Sequence, residues 1–279
     1  MSVLLKYTAS SGNEYDLKAQ GLIRTKTANY HRWEWGVVGT ALQYGTRISG
    51  FSREAAVYTT KLIFDGPLDE RKTLIEDLHE DFELDVRNMT PGRVTWGDYY
   101  IDCYVTASST QPDINNVWTD NDVSFYCPHP FWTRELTKQF IIHDEEQQDS
   151  GFLEYAFDFD YDYFYGQSGA DIWITRVPFK SDFKLTIYGP VADPRVVVNG
   201  HPYQVFDTLE PGEYIVIDSR NNKVTKYLTS GTTSNIFDKR NKAESVFEQM
   251  PAGNLTVNWT GTFGFDITLF EERSEPRWS

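Results

Sequence analysis

Residues 151–166 read GFLEYAFDFDYDYFYG. Leu153, Tyr155, Phe157, Phe159, Tyr161, Tyr163 and Tyr165 fall on one parity, and Glu154, Asp158, Asp160 and Asp162 fall on the other. A period of two is the mark of an extended strand with one buried and one wet face. The three spaced aspartates look superficially like the start of a calcium loop. Such a loop needs glycine at its sixth position and a bidentate glutamate at its twelfth; counted from Asp158, those positions hold Tyr163 and Gly169. Carboxylates on one strand face also stand roughly 7 Å apart rather than converging on an ion. The pattern predicts a solvated strand face or an intersubunit polar rim, and no metal site.

The rest of the chain reads the same way. Short strand patterns are expected over residues 2–7, 15–23, 30–36, 55–64, 82–86, 92–96, 99–108 and 117–127 in the first half. In the second half they fall over 171–174, 183–189, 195–198, 214–218, 224–227, 255–259 and 265–270. One stretch changes period. After Asp65-Gly66-Pro67, residues Leu68, Arg71, Ile75, Leu78 and Phe82 share a helical face with Leu74 beside them. Pro67, Asp69 and Glu70 supply start signals, so a helix is expected over about 67–82. The fold class is therefore mainly β, with one packed helix in the first half and a sandwich or jelly roll in the second.

Cys127-Pro128-His129-Pro130-Phe131-Trp132 stops regular pairing, and the character of the chain shifts beyond it. This predicts an N-terminal domain over 1–133 and a C-terminal one over 134–279, with a linker over about 134–150. The last residues, EERSEPRWS, are expected to fray.

The chemistry classes thin out quickly. A formal net charge of −15 disfavours direct binding to nucleic acid or to an anionic membrane face. No apolar stretch is long enough to span a membrane, and the first twenty residues lack a signal-peptide core, so synthesis in a cytoplasm is expected. Cys103 and Cys127 are expected as reduced thiols in or near the core. The five histidines form no metal-ligand pair, and His79 is placed on the polar side of the helix. Glycine-rich nucleotide motifs and a nucleophile elbow are absent. Abundant carboxylates leave a sandwich glycosidase open as a class, but no pair stands out. The expectation is a protein with no catalytic residue, cofactor or metal.

What remains is surface. Aromatic residues make up 15% of the chain, a composition that suits sheet faces and interfaces. Tyr30, His31, Trp33 and Trp35 form an aromatic run leading into a loop expected over 36–45, and residues 49–54 read as a polar loop entering the next strand. Trp33, Trp35 and Tyr44 are the candidate contacts to a neighbouring subunit. The alternatives are that these aromatics fill the first domain's own core, or stack on carbohydrate.

Four segments together resemble the distal tail proteins of long-tailed, siphovirus-type phages. They are the junction with Pro130, Phe131 and Trp132; the aromatic-aspartate strand with Asp160, Tyr161 and Tyr163; the Gly189 turn followed by Asp193-Pro194; and the closing segments with Asp218 and with Gly253-Asn254. The resemblance implies a ring-forming N-terminal domain, a hexamer around the tail channel, and an outward-facing galectin-like or jelly-roll sandwich. It implies a hub at the distal end of the virion tail, with the tail tube protein, a tail-tip or tail-associated protein, and receptor-binding proteins or fibres as partners. A carbohydrate-binding adhesion component, or the equivalent hub of a contractile tail or tail-like bacteriocin, is the alternative.

Overall fold

The computed structural model describes residues 5–17, 23–112, 118–142 and 169–277. The strand expected at 151–166, with Asp160, Tyr161 and Tyr163, lies outside the described residues, as do the expected linker from 143 onward and His143. The chain divides into two compact units, Met1–Arg134 with Glu272–Ser279, and Glu135–Glu271. Both are mainly β, and one α-helix is present among the described residues.

Unit 1 contains β1 (Leu5–Thr8), β2 (Glu14–Asp16), β3 (Ile23–Ala28), β4 (Gly36–Ala41), β5 (Thr46–Ser52), β6 (Ala56–Phe64), α1 (Leu68–Arg87), β7 (Gly92–Trp96), β8 (Tyr99–Pro112), β9 (Thr119–Cys127) and the start of β10 (Trp132–Phe140). The long strand β8 serves two sheets. Its first half, through Cys103, pairs β7, which carries β1 and β2 in turn. From Tyr104 onward it pairs β9, which carries β6 and then β3. Alternation makes this work: β9 buries every second residue from Thr119 to Cys127, so one face of the strand is committed to the core. The core gathers Tyr7, Tyr30, Tyr58, Phe82, Phe125 and Trp132, with ring pairs such as Tyr7 and Phe82 meeting edge-on at 5.1 Å, a favoured aromatic geometry. Cys103 and Cys127 are free and buried, as expected, and burial pushes the Cys103 thiol well up.

The helix starts behind Pro67 with Asp69 and Glu70 in its first turn, as the start signals require. It then runs through the strand expected at 82–86. The phase of its buried face explains the difference. Leu78, Asp81, Phe82 and Asp85 are all buried, and the spacing of 78, 81, 82 and 85 is one helical stripe. Two of the four are acids, which an apolar pattern does not count. Asp85 accepts from the Tyr7 hydroxyl and, at 2.9 Å, from the Ser10 N–H. Asp81 accepts from Ser11 Oγ at 2.7 Å, Asn13 Nδ2 at 3.0 Å and Tyr15 Oη at 2.5 Å. These bonds clamp α1 onto the β1–β2 hairpin, satisfying the carboxylates as burial demands.

The clamp predicts a pH dependence. Burial alone would raise the Asp81 carboxyl, but the hydrogen bonds from Tyr15, Ser11 and Asn13 outweigh it and hold the group below its ordinary value. A carboxylate lowered on folding contributes stability above its unfolded value of about 3.9, and that stability is lost as pH falls through the lower folded value. Asp81→Asn is expected to cost about 1–3 kcal/mol at pH 7 and to flatten the acid limb of unit 1 stability below about pH 4. Thermal melts from pH 7 down to pH 2 test this, and parallel curves for parent and variant would remove Asp81 from the account.

Unit 2 holds the rest of β10, β11 (Gly169–Ile174), β12 (Asp182–Tyr188), β13 (Val191–Ala192), β14 (Arg195–Val198), β15 (His201–Gln204), β16 (Thr208–Leu209), β17 (Tyr214–Asp218), β18 (Lys223–Tyr227), β19 (Thr233–Asn235), β20 (Asn254–Trp259) and most of β21 (Phe265–Arg273). One sheet runs β19-β18-β17-β12-β21 and a second runs β11-β20-β14-β15, with β13 and β16 as a separate pair. Phe183, Leu185, Ile215, Ile217 and Ile267 of the first sheet meet Val196, Val198, Tyr203, Leu255 and Val257 of the second in one buried cluster. The seven expected strands of this half appear with shifts of a few residues at their ends. The four short elements β13, β15, β16 and β19 had no period to announce them.

Two further expectations are corrected. Residues 134–140, expected as linker, continue β10 to Phe140. Residues 271–274 of the expected frayed tail are held: β21 extends to Arg273, Glu272 Oε1 stands 2.9 Å from His129 Nε2, and the Ser274 carbonyl accepts from Arg53 at 3.2 Å. Among the described residues no helix is long and apolar enough to cross a membrane.

Candidate interaction surface

The aromatic run and the segment after it form the feature that needs explaining. Residues 30–35, expected as strand, are not one. The expected loops at 36–45 and 49–54 instead carry a β-hairpin, in which β4 pairs β5 from Gly36↔Ser52 to Ala41↔Thr46. Leu42 N–H bonds Gly45 O at 3.0 Å to close the turn, and Gly45 supplies the positive φ of 84° that glycine adopts without strain. A register shift between Val38 and Gly39 bulges the ladder. A side chain at Gly39 would stand 2.6 Å from the Arg47 carbonyl, so only glycine permits that approach. No alternation marks this segment because neither face of the hairpin is buried, which removes the signal of a half-buried strand.

That exposure is unusual. Val37 is 58% exposed, Phe51 60% and Tyr44 87%, with Val38, Leu42 and Ile48 also in solvent. A two-stranded hairpin is marginal on its own, and edge strands of soluble proteins are normally blunted with lysine or proline. This one has neither. Clusters of exposed apolar side chains are where a partner surface is sought.

The root of the hairpin, by contrast, is fixed. The Arg53 guanidinium lies 4.8 Å from the Phe131 ring centre and 5.8 Å from that of Trp35, the two rings are 6.0 Å apart, and Phe131 contacts His129 at 5.2 Å. Trp35 therefore braces the arm, Trp33 stands half exposed beside it, and Tyr44 is at the tip. Of the junction residues, Pro130 and Trp132 are buried, and Trp132 packs against Tyr30 and Tyr58 in the core.

The markers in unit 2 are turn and packing residues. Gly189 has no room for a side chain beside the Glu210 backbone and the Leu209 side chain. Pro194 is buried at the head of β14, and its carbonyl accepts from Val205 N–H at 3.2 Å. Asp218 accepts from the Asn221 N–H at 3.1 Å. Gly253 adopts a φ of 81° before Asn254.

Groupings with chemical potential turn out to be locked. His79 is half-buried rather than solvated: its Nε2 stands 2.8 Å from Asn121 Nδ2 and 3.2 Å from Ser108 Oγ, beside a groove of about 370 Å³. With Asn121 donating, the Nε2 lone pair is occupied, and Ser108 directs its hydroxyl to Asn121 Oδ1 at 2.9 Å. Burial lowers the His79 imidazole below its ordinary value, with Glu83 opposing. The arrangement holds α1 to β8 and β9, and it leaves no free base for Ser108. In unit 2, the rings of Tyr214 and Tyr227 stack at 4.5 Å, so each covers one face of the other. Among the described residues no three His, Cys, Asp or Glu gather as a metal site.

The order of elements, the split at β10, and the exposed hairpin define the fold for comparison. The fold is shared with solved phage tail and baseplate proteins. The chain matches the crystal structure of the SPP1 Dit protein with a TM-score of 0.62 at 11% identity, over 98% of this chain and 100% of that one. It matches a chain of the phage P2 baseplate in its activated conformation with a TM-score of 0.66 with calcium and 0.65 with strontium, each at 12% identity, over 99% of this chain and 100% of that one. No family model matches the sequence, and no curated protein does. At such identities it is the architecture that is common, from end to end, while the side chains have diverged almost completely.

Proposed function

We propose that this chain is a structural component at the distal end of a phage tail, a ring-forming hub that joins the tail tube to tail-tip and receptor-binding components. The observation that carries the reading is the end-to-end likeness to SPP1 Dit, a protein described as a paradigm of the hub adsorption apparatus in phages infecting Gram-positive bacteria. The exposed hairpin of unit 1 supplies this chain with what such a role needs, an apolar arm held out from a rigid root. In this reading unit 1 forms a hexameric ring, with Trp33, Trp35 and Tyr44 at or near the contacts. Unit 2 is a galectin-like or jelly-roll sandwich facing outward, where receptor-binding proteins or fibres attach. The protein is made in the host cytoplasm and ends in the virion, and its work is burial of surface rather than bond chemistry.

A head-to-tail contact either closes into a ring or runs on as a filament. Analytical ultracentrifugation and negative-stain imaging of the purified chain are expected to give a closed ring whose fraction rises with concentration. A chain that stays monomeric at high concentration, with no matching ring in assembled particles, would overturn the proposal.

A further inference from the structure

At the root of the hairpin is a cavity of about 450 Å³, its wall including Arg32, Trp33, Arg53, Ala55, Val57 and Tyr58. Its size falls within the range of about 300–1,000 Å³ typical of pockets that hold a ligand or an inserted group. The wall carries unspent bonding capacity. β9 pairs the whole of β6, but β3 pairs it only from Thr60 to Phe64, so among the described residues no strand ladders onto the other edge at Ala56–Thr59. Thr59 N–H is taken up there by Asn29 Oδ1 at 2.8 Å. Arg53 and Tyr58 of this wall engage one another, and Arg53 Nη2 donates to the Ser274 carbonyl at 3.2 Å, so the unpaired edge of β6 is what the wall has to offer.

The hairpin tip has the complementary chemistry. Tyr44 is the most exposed large hydrophobic side chain of the described residues, and its phenol both donates and accepts. Residues 36–52 contain Arg47 and no acid, in a chain of formal net charge −15, so this arm approaches another copy without the repulsion that the remaining surface would meet. The arm cannot serve its own cavity. Six residues of β4 at about 3.3 Å each put the tip roughly 20 Å from the root.

We propose that the hairpin tip of one copy, Tyr44 foremost, docks in the root cavity of the next copy, against the open Ala56–Thr59 edge of β6. This rests on the ring-forming reading and specifies its contact: each copy gives one tip and receives one, so a closed ring leaves no tip unburied and no cavity open.

Site-directed disulfide trapping tests it. The full chain carrying Gln43→Cys, beside Tyr44 at the exposed tip, and Ala55→Cys is oxidised mildly at concentrations where it assembles. The two native thiols are fully buried and stay out of the reaction. A chain with Gln43→Cys and Glu76→Cys, the latter on the exposed side of α1, is the control. The expected result is a ladder of covalent oligomers from the first pair and none from the control, because a disulfide requires the two Cα atoms within about 7 Å. Rings that form without a ladder from the first pair, or with equal ladders from both, overturn the docking contact and leave the hub reading standing. Absence of any oligomer for the unmodified chain overturns the hub reading, and this contact with it.

Discussion

Gly92→Ala is expected to destabilise unit 1 by on the order of 4 kcal/mol, seen as a fall in its melting temperature of roughly 10–15 °C. A methyl group at Gly92 would overlap Tyr7 Oη and Asp85 Oδ2 and stand 2.7 Å from Tyr7 Cζ. Neither neighbour can retreat. Tyr7 is fully buried against Tyr15, Phe82 and Phe125, and Asp85 is fully buried and held by Ser10 as well as Tyr7. Overpacking of a dense core costs about 1–3 kcal/mol. Forcing Tyr7 and Asp85 apart adds about 1–3 kcal/mol for buried polar groups deprived of their partner. Burial and the Asp85 contact also push the Tyr7 hydroxyl well above its ordinary value, so it stays a neutral donor where a free tyrosine would ionise. Gly50→Ala is the control, since a Cβ there meets nothing within 4 Å; it should lie within about 0.5 kcal/mol of the parent. Calorimetry decides: a Gly92→Ala chain melting within about two degrees of the parent would mean that the clamp between α1 and β1 yields easily.

The same clamp shows where the sequence was legible and where it was not. Strands such as β6, β7, β9, β14 and β17 bury one face each, so their residues alternate and their bounds follow from the pattern within a few positions. The start of α1 was written in Pro67, Asp69 and Glu70. Its end was not, because the stripe that continues it is completed by Asp81 and Asp85, acids whose burial makes sense only beside Tyr7, Ser11, Asn13 and Tyr15 some seventy residues earlier. The tail residues failed similarly: Glu272 and Ser274 look like solvent-facing polar groups until His129 and Arg53 are brought to them. The candidate surface was less legible. Trp35 lies at the root and Tyr44 at the tip of the exposed hairpin, but the hairpin itself was hidden, since a strand exposed on both faces carries no burial period. The missed signal was the recurrence of glycine at 36, 39, 45 and 50 around Val-Val, Tyr and Ile, a spacing that suits a bulged, sharply turned ribbon.

Replacing residues 38–50 by Asn-Gly is expected to abolish assembly while leaving the fold of unit 1 in place. Val37 and Phe51 are already a cross-strand pair, so a two-residue turn of that composition closes the ladder without distorting it. No large apolar side chain of the removed stretch belongs to the core of unit 1, so the melting temperature should move by no more than about three degrees. The arm presents Val38, Leu42, Tyr44 and Ile48 to solvent, and each such side chain is worth about 1.5–3 kcal/mol on full burial. Their loss removes on the order of 8 kcal/mol of gross association energy, against about 1.4 kcal/mol for a tenfold change in affinity. The expected outcome is therefore monomers throughout the concentration range where the parent forms rings. The two readouts separate the explanations. An arm that merely stiffens unit 1 would lower the melting temperature and leave assembly intact. An arm that makes the contact does the reverse, and rings formed by the shortened chain at the parent's midpoint would exclude the hairpin as the source of assembly.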